Sequence, residues 1–96
     1  MMVVVTYDVS MEDTSGPKRL RHVAKACENV GQRVQKSVFE CIVEPDQFIK
    51  FRAKLLKIMD SDKDSLRIYL LGKNWGRRIE HYGTALSFQQ DGPIIL

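Results

Sequence analysis

Residues 3–10 have the sequence VVVTYDVS, in which three consecutive valines and a threonine lead to a single carboxylate, Asp8. A β-branched run without polar alternation is typical of a strand that is buried on both faces. We therefore expect Asp8 at the end of a central strand, held firmly enough to bind a metal or to act in acid–base chemistry. A structural role is the alternative, because aspartate also commonly bonds to the backbone of the turn that follows a strand.

The length and composition of the chain predict one small soluble domain. Its 96 residues are 44% hydrophobic and 28% charged, which is ordinary for a globular protein. No apolar run is long enough for a transmembrane helix and no signal peptide is present, so we expect a cytoplasmic protein. The net charge of +3 favours a polyanionic partner without requiring one. Cys27 and Cys41 lack metal-ligand spacing and are predicted to be buried, reduced thiols.

The first half of the chain alternates between strand and helix patterns. A helix is predicted to begin at Ser15 and Pro17 and to stop at Gly31, with an apolar stripe and a basic outer face. Residues 32–43 are rich in β-branched residues and are expected to form two short strands around a tight turn or a bulge near Lys36. A second helix begins near Pro45, with lysines on its outer face.

The remaining segments complete a recognisable order. Residues 60–64 (DSDKD) are predicted to be a solvated turn, because a calcium loop would need a glycine at its sharp turn and a distal glutamate. Residues 66–70 alternate as a fourth strand that closes at Gly72. The resulting order, βαββαβ, predicts an α+β, ferredoxin-like core over residues 1–72, with both helices on one face of an antiparallel sheet. Residues 78–82 alternate like a further strand.

Three segments together closely resemble the CRISPR-associated protein 2 family, the small subunit of the CRISPR spacer-acquisition machinery. They are residues 5–9 (VTYDV), the basic helix that follows, and residues 31–41 (GQRVQKSVFEC), of which the last is the most specific. Residues 67–69 (RIY) and 80–83 (EHYG) continue the likeness, so that it covers nearly the whole chain.

This resemblance implies a prokaryotic homodimer in which residues 73–96 supply a strand, 78–82, exchanged with the partner's sheet, and a C-terminal tail. It implies that Asp8 binds Mg²⁺ or Mn²⁺ and faces its copy across the dimer axis. Nuclease activity on RNA or duplex DNA is ascribed to some members, whereas others bridge two integrase dimers during spacer integration. The family positions that carry over are Tyr7, Asp8, Arg33 and Phe39, together with Arg19 or Arg21, of which we favour Arg19.

The chemistry of the residues fits phosphodiester hydrolysis best when two chains combine. Mg²⁺ takes oxygen ligands and usually only one or two carboxylates, so one Asp8 is a poor site and two on a twofold axis are adequate. Glu12 and Asp13 are weaker candidates, because they lie in a polar loop. His22 and His81 are predicted to be surface residues rather than bases.

Other side chains are candidates for contacts with nucleic acid or partners. Arginine offers phosphate a planar bidentate fork, although each of these cations could also be ordinary solvated charge. A Trp75-containing loop with three cations suits a nucleic-acid backbone. Tyr7 and Phe39 could equally be core aromatics, and Ser10 a cap. The candidates are Arg19, Arg33, Lys36, Arg77 and Arg78 for nucleic acid, Tyr7, Ser10 and Phe39 as supporting residues, and Ile94, Ile95 and Leu96 for docking a partner.

Two functions therefore stay open at the level of sequence. One is a metal-dependent endonuclease that cleaves double-stranded DNA or single-stranded RNA through paired Asp8 carboxylates. The other is a non-catalytic DNA-binding scaffold that bridges integrase dimers, with residues 94–96 docked on the CRISPR integrase subunit. A small-molecule-sensing ferredoxin-like domain lacks support, because no loop offers a glycine-rich ligand cradle.

Overall fold

Seven elements of secondary structure follow one another in the computed structural model, which describes residues 1–12, 14–72 and 79–84. The strands form one antiparallel sheet in the order β2-β3-β1-β4-β5, so β1 is its central strand. This confirms the ferredoxin-like α+β fold. The elements are β1 (Met2–Asp8), α1 (Gly16–Glu28), β2 (Gly31–Gln35), β3 (Val38–Ile42), α2 (Pro45–Ile58), β4 (Ser65–Leu70) and β5 (Ile79–Gly83).

The two faces of β1 have different surroundings. Val3, Val5 and Tyr7 are buried in the core between the sheet and both helices. The alternate residues point to the opposite face, where Val4 and Thr6 are only half-buried and Asp8 is exposed. Helices cover one face of the sheet, and within residues 1–12, 14–72 and 79–84 no element covers the other, here called the open face. For this part of the chain, the prediction that β1 is buried on both faces is therefore wrong.

Both helices begin where the sequence indicated. Pro17 lies in the first turn of α1, and α2 starts with a capping box in which Glu44 and Gln47 bond to each other's backbone N–H groups. The lysines of α2 are exposed, while its apolar stripe enters the core. Among the described residues, no helix is long and apolar enough to cross a membrane.

The prediction that Gly31 ends α1 is wrong, because the helix stops at Glu28 and Gly31 begins β2. A Cβ atom on Gly31 would lie 2.0 Å from the carbonyl oxygen of Glu40 on β3, so glycine is required there by the close approach of two backbones. The β2–β3 hairpin itself is confirmed, with a register shift between Arg33 and Gln35. Cys27 and Cys41 are buried free thiols, as predicted.

The strand expected over 78–82 is β5, and it pairs with β4 of its own chain. An ion pair from Arg52 of α2 to Glu80 of β5, 2.9 Å long, fastens it. Exchange of this strand in a homodimer stays a prediction. Residues 73–78 and 85–96 lie outside the described residues.

Asp64 overturns the prediction of a fully solvated turn over residues 60–64, because its side chain is completely buried. Its carboxylate accepts hydrogen bonds from Arg19 Nε (2.8 Å) and Nη2 (3.1 Å). The backbone amides of Ser10 (2.9 Å) and Asp60 (3.0 Å) and the Tyr7 hydroxyl also donate to it. These donors belong to the end of β1, to α1 and to the turn before β4, so one carboxylate joins three parts of the fold.

Hydrogen bonding keeps Asp64 charged despite its burial. Burial raises the pKa of the Asp64 carboxyl, but the hydrogen bonds from Arg19, Ser10, Tyr7 and Asp60 outweigh it and hold the pKa below its usual value. Burial, and then the bond to Asp64, raise the pKa of Tyr7, which keeps its hydroxyl a donor. Such a network stabilises the fold only while the carboxylate is ionised.

We predict that Asp64→Asn lowers the free energy of unfolding by about 3–5 kcal/mol at neutral pH, because it leaves the Arg19 charge without its partner. A group with a depressed folded-state pKa contributes stability above its unfolded pKa, about 3.9 for aspartate, and loses it as the pH falls through the folded pKa. The difference in unfolding free energy between wild type and variant should therefore be constant at neutral pH and should shrink below about pH 3.9. Urea denaturation at a series of pH values measures it, and a gap that persists undiminished to about pH 2 would contradict this role of Asp64.

Candidate active site at the end of the central strand

Four chain segments meet at the edge of the sheet where β1 ends. Asp8 closes β1 opposite Ser65, the first residue of β4, which in turn lies opposite Gly83 of β5. On the other side, the Tyr7 amide donates to the carbonyl oxygen of Ser37 (3.0 Å), in the turn between β2 and β3. This edge, called the Asp8 edge below, therefore brings together residues that are far apart in sequence, such as Asp8 and Gly83.

Asp8 is exposed at this edge and lies on the open face of the sheet. Its backbone is held in the ladder with β4, while its carboxylate projects away from the helices, because successive side chains of a strand alternate between faces. The geometry matches the expected rigid strand with a carboxylate at its tip. Among the described residues, the Asp8 carboxylate makes no hydrogen bond of the kind that a capping role would require.

Ser65 and His81 form a polar pair on the same face that the sequence did not indicate. Ser65 Oγ lies 3.1 Å from Nε2 of His81, and the same nitrogen lies 2.8 Å from the carbonyl oxygen of Thr84. A carbonyl oxygen only accepts, so Nε2 carries a proton. His81 is half-buried, not the surface residue that was predicted, whereas His22 is exposed on α1. The pair places a hydroxyl group directly across the ladder from Asp8.

The predicted supporting residues support Asp8 through the core rather than from the open face. Tyr7 is buried and points toward the helices, where its hydroxyl donates to Asp64. Ser10 donates its backbone amide to the same carboxylate, while its Oγ accepts from the Glu12 amide (3.2 Å). Both the packing role of Tyr7 and the turn-forming role of Ser10 are therefore present in the structure.

Arg19 is committed to contacts within the chain. Its Nε and Nη2 donate to Asp64, and its Nη1 donates to Ser15 Oγ (2.7 Å). All three guanidinium nitrogens therefore have an acceptor in the fold. Contact between Arg19 and phosphate stays a prediction, and the structure adds a positional role that the sequence did not indicate.

Arg33 and Lys36 are exposed, the first on β2 and the second in the turn between β2 and β3, and Arg33 lies on the helix side of the sheet beside α1. The Arg33 guanidinium lies 5.5 Å from the ring centre of Phe39, and its Nε donates to the carbonyl oxygen of Lys36 (2.9 Å). Phe39 itself is fully buried, as a core aromatic. Within the described residues, neither Nη group of Arg33 has an acceptor. Arg33 is thus held in place by one nitrogen and by the ring, with its remaining donors available at the surface.

Several predicted site residues lie outside the described residues. They are Asp13, the Trp75 loop with Arg77 and Arg78, and the docking residues Ile94, Ile95 and Leu96. Glu12 is exposed and its carboxylate makes no described contact with the Asp8 edge. The roles assigned to these residues stay predictions.

Asp64 is the central residue that sequence reasoning missed, although a pattern for finding it was available. It is in phase with Leu66, Ile68 and Leu70, which are buried on the helix side of β4. Period-two alternation therefore predicts that the side chain at 64 turns inward, toward the same core as Tyr7. The acidic composition of residues 60–64 obscured that alternation.

The oxygen donors of the Asp8 edge fit a divalent cation such as Mg²⁺ only in part. The exposed Asp8 carboxylate is a suitable hard ligand. No group of three or more His, Cys, Asp or Glu side chains that could hold a metal ion occurs within residues 1–12, 14–72 and 79–84. The pairing of two Asp8 carboxylates across a dimer axis, which the sequence indicated, stays a prediction.

Comparison with known proteins identifies close relatives over the full length of the chain. A CRISPR-associated endoribonuclease Cas2 of Nitratidesulfovibrio vulgaris is 52% identical over 96 residues, covering 100% of this chain and 94% of the relative. The corresponding protein of Chlorobaculum tepidum is 54% identical, with 100% of both chains covered. A CRISPR-associated endonuclease Cas2 of Halalkalibacterium halodurans is 50% identical over 95 residues, covering 99% of each.

Solved structures share the fold. The crystal structure of Streptococcus pyogenes Cas2 at pH 6.5 superposes with a TM-score of 0.71 at 59% identity, covering 86% of this chain and 100% of that chain. A hypothetical protein from Thermus thermophilus superposes with a TM-score of 0.63 at 31% identity, covering 74% and 80%.

The family model described as CRISPR associated protein Cas2 matches residues 1–79, which include all three segments that carried the resemblance: residues 5–9, the basic helix that follows, and residues 31–41. Together with relatives about half identical over the full chain, this match confirms the predicted family. The chain belongs to the Cas2 family of CRISPR-associated proteins.

Proposed function

We propose that this protein is a metal-dependent endonuclease of CRISPR adaptation, in which two Asp8 carboxylates of a homodimer bind a divalent cation and hydrolyse phosphodiester bonds of nucleic acid. The observation that carries the proposal is the exposed Asp8 carboxylate on the open face, at the end of a rigid central strand. The names of the relatives, which are endoribonucleases or endonucleases, support a nuclease.

The open face supports dimerisation. It carries exposed apolar side chains, Met2 (38% exposed) and Ile42 (66%), which lie opposite each other in the β1–β3 ladder. Val4 and Tyr69 lie between them and the Asp8 edge and are half-buried. Apolar surface on a sheet face is stabilised when a second sheet covers it. A second copy packed on this face through its own open face would also direct its Asp8 toward the interface.

In such a dimer, the cation would neutralise charge that develops on the phosphate oxygens and would activate a water molecule. Arg33 supplies donors for phosphate from the helix side of the sheet, beside α1, because its terminal nitrogens bond to none of the described residues and its guanidinium is held by Phe39 and the Lys36 carbonyl oxygen. Lys36 adds an exposed positive charge. The chain's own residues thus bind and orient the substrate while Asp8 holds the cation.

We predict that Asp8→Asn abolishes cleavage of labelled duplex DNA and single-stranded RNA, a loss of about 100-fold or more, on the order expected when an essential metal ligand is removed. Cleavage by wild type should require Mg²⁺ or Mn²⁺ and stop with EDTA. Because the amide is of the same size and the residue is exposed, the variant should keep the wild-type melting temperature. Wild-type cleavage by this variant would refute a catalytic Asp8.

A second function, a DNA-binding scaffold, is favoured by a different surface. The outward faces of the two helices, here called the helix surface, are strongly basic. The two helices contribute only Glu28 and Asp46 as acids. A cleft between the helices is lined by His22, Lys25 and Lys54, among others. The exposed basic residues of the helix surface are Lys18, Arg21, His22, Lys25, Lys50, Lys54 and Lys57.

The helix surface and the open face lie on opposite sides of the domain, so one molecule could use both. Cations spread over a surface bind the phosphate backbone without regard to sequence, and the affinity depends steeply on salt. Under the scaffold hypothesis this surface would hold duplex DNA while residues 94–96 contact an integrase subunit. Cleavage by the protein itself would then be dispensable.

We predict that Lys25→Glu and Lys54→Glu each weaken binding of duplex DNA irrespective of sequence, because each removes a cation from the cleft. The slope of log K against log salt should fall by about 0.9 for each phosphate that the variant no longer neutralises. Fluorescence anisotropy at several salt concentrations measures both quantities. Lys63→Glu, in the turn before β4, makes the same charge change away from the helices and serves as the control. Equally weakened binding in all three variants would show that net charge alone, and not this surface, governs binding.

A further inference from the structure

We propose that Asp64 is a positioning residue of the Asp8 site, one that fixes the direction of the Asp8 carboxylate without touching the cation or the substrate. The inference rests on the proposed function and deepens it. Under this inference, cleavage by the exposed Asp8 requires Asp64, whose carboxylate is buried on the opposite side of the same sheet.

Tyr7 and Ser10 attach the chain to Asp64 on either side of Asp8. Tyr7 directly precedes it and donates its hydroxyl to Asp64, while Ser10 follows two residues later and donates its backbone amide to the same carboxylate. The chain is therefore attached to one group on both sides of Asp8. Rotation of the strand end would have to break at least one of these bonds.

The strand ladder supplies a third attachment. Asp8 lies opposite Ser65, the residue that directly follows Asp64. Because side chains alternate along a strand, Asp64 points into the core beside Tyr7, while Ser65 and Asp8 share the open face. A shift of Asp64 would consequently be transmitted to the open face through the next residue of β4 as well as through Tyr7.

Asp64 can act as an anchor because it is itself immobilised. Arg19 binds both of its oxygens through Nε and Nη2, and the Asp60 amide adds a further bond. A bidentate arginine fixes the plane of a carboxylate as well as its position. Partners that orient a metal ligand typically contribute about 10- to 100-fold to metal affinity, which is the effect expected here.

The test compares carboxylate-to-amide changes at two buried or half-buried ion pairs. Asp64→Asn breaks the pair with Arg19, and Glu80→Gln makes the same chemical change opposite Arg52, on a strand end remote from Asp8. Tyr7→Phe is a milder second variant, since it removes only the hydroxyl and keeps the ring in the core. For each, Mn²⁺ affinity is measured by electron paramagnetic resonance at a temperature where the protein is folded, together with amide hydrogen exchange over residues 8–10.

We expect Asp64→Asn to weaken Mn²⁺ binding by about 10- to 100-fold and to accelerate exchange at residues 8–10. Tyr7→Phe should do the same to a smaller extent, about threefold, because it removes a single hydrogen bond. Glu80→Gln should stay within about twofold of wild type, because it leaves every bond to Asp64 in place. Excess Mn²⁺ should restore cleavage by Asp64→Asn and not by Asp8→Asn, a rescue that a merely structural defect would not show.

The outcomes separate this inference from the proposed function. Wild-type Mn²⁺ affinity and wild-type exchange in folded Asp64→Asn, or in Tyr7→Phe if the former does not fold, would overturn the positioning role. Absence of Mn²⁺ binding by the wild-type protein would refute the metal site, and with it the catalytic part of this inference. In that case, faster exchange in the variants would still establish that Asp64 holds the end of β1.

Discussion

The ion pair between Arg19 and Asp64 is the interaction on which the Asp8 edge of the molecule depends. A buried carboxylate is tolerated only when its charge is compensated and its lone pairs are satisfied. Here an arginine, a hydroxyl and two backbone amides do both. Because those donors come from the end of β1, from α1 and from the turn before β4, satisfying one charge also fixes how three segments meet. For the same reason, neutralising the Asp64 carboxylate is expected to destabilise this end of the fold.

The sheet divides the molecule into two environments with different chemistry. On the helix side, alternating apolar residues of β1, β3 and β4 form a closed core. On the open face, exposed apolar side chains occupy one end, and Asp8 with the Ser65–His81 pair occupies the other. A single carboxylate at the polar end is a weak ligand for a hard cation, whereas the apolar end favours association. Packing of a second sheet on the open face would cover the apolar end and could supply the second carboxylate at the polar end.

The catalytic and scaffold hypotheses assign different surfaces to nucleic acid. The first uses the Asp8 edge, with Arg33 held by Phe39 and the Lys36 carbonyl oxygen on the helix side of the sheet. The second uses the helix surface, whose lysines act as point charges rather than as oriented forks. Orientation suits a reaction, in which one phosphate must be placed beside a cation, while dispersed charge suits holding a long duplex. The two surfaces therefore differ in kind, and the functions are compatible in one protein.

The element order, the family, the central position of β1 and the place of Asp8 at its end could all be predicted from the sequence, because hydrophobic periodicity, turn residues and motifs are local properties. The place of Gly31 was misjudged because a contact with a distant segment, the Glu40 backbone, governs it. The inward direction of Asp64 follows from local alternation that its acidic neighbours obscured, whereas its partner Arg19 lies 45 residues away in sequence. The proximity of Ser65 to His81 was invisible for the same reason as the place of Gly31. These features emerge from the folded chain alone, since burial and hydrogen bonding between residues far apart in sequence arise when the sheet and helices are assembled.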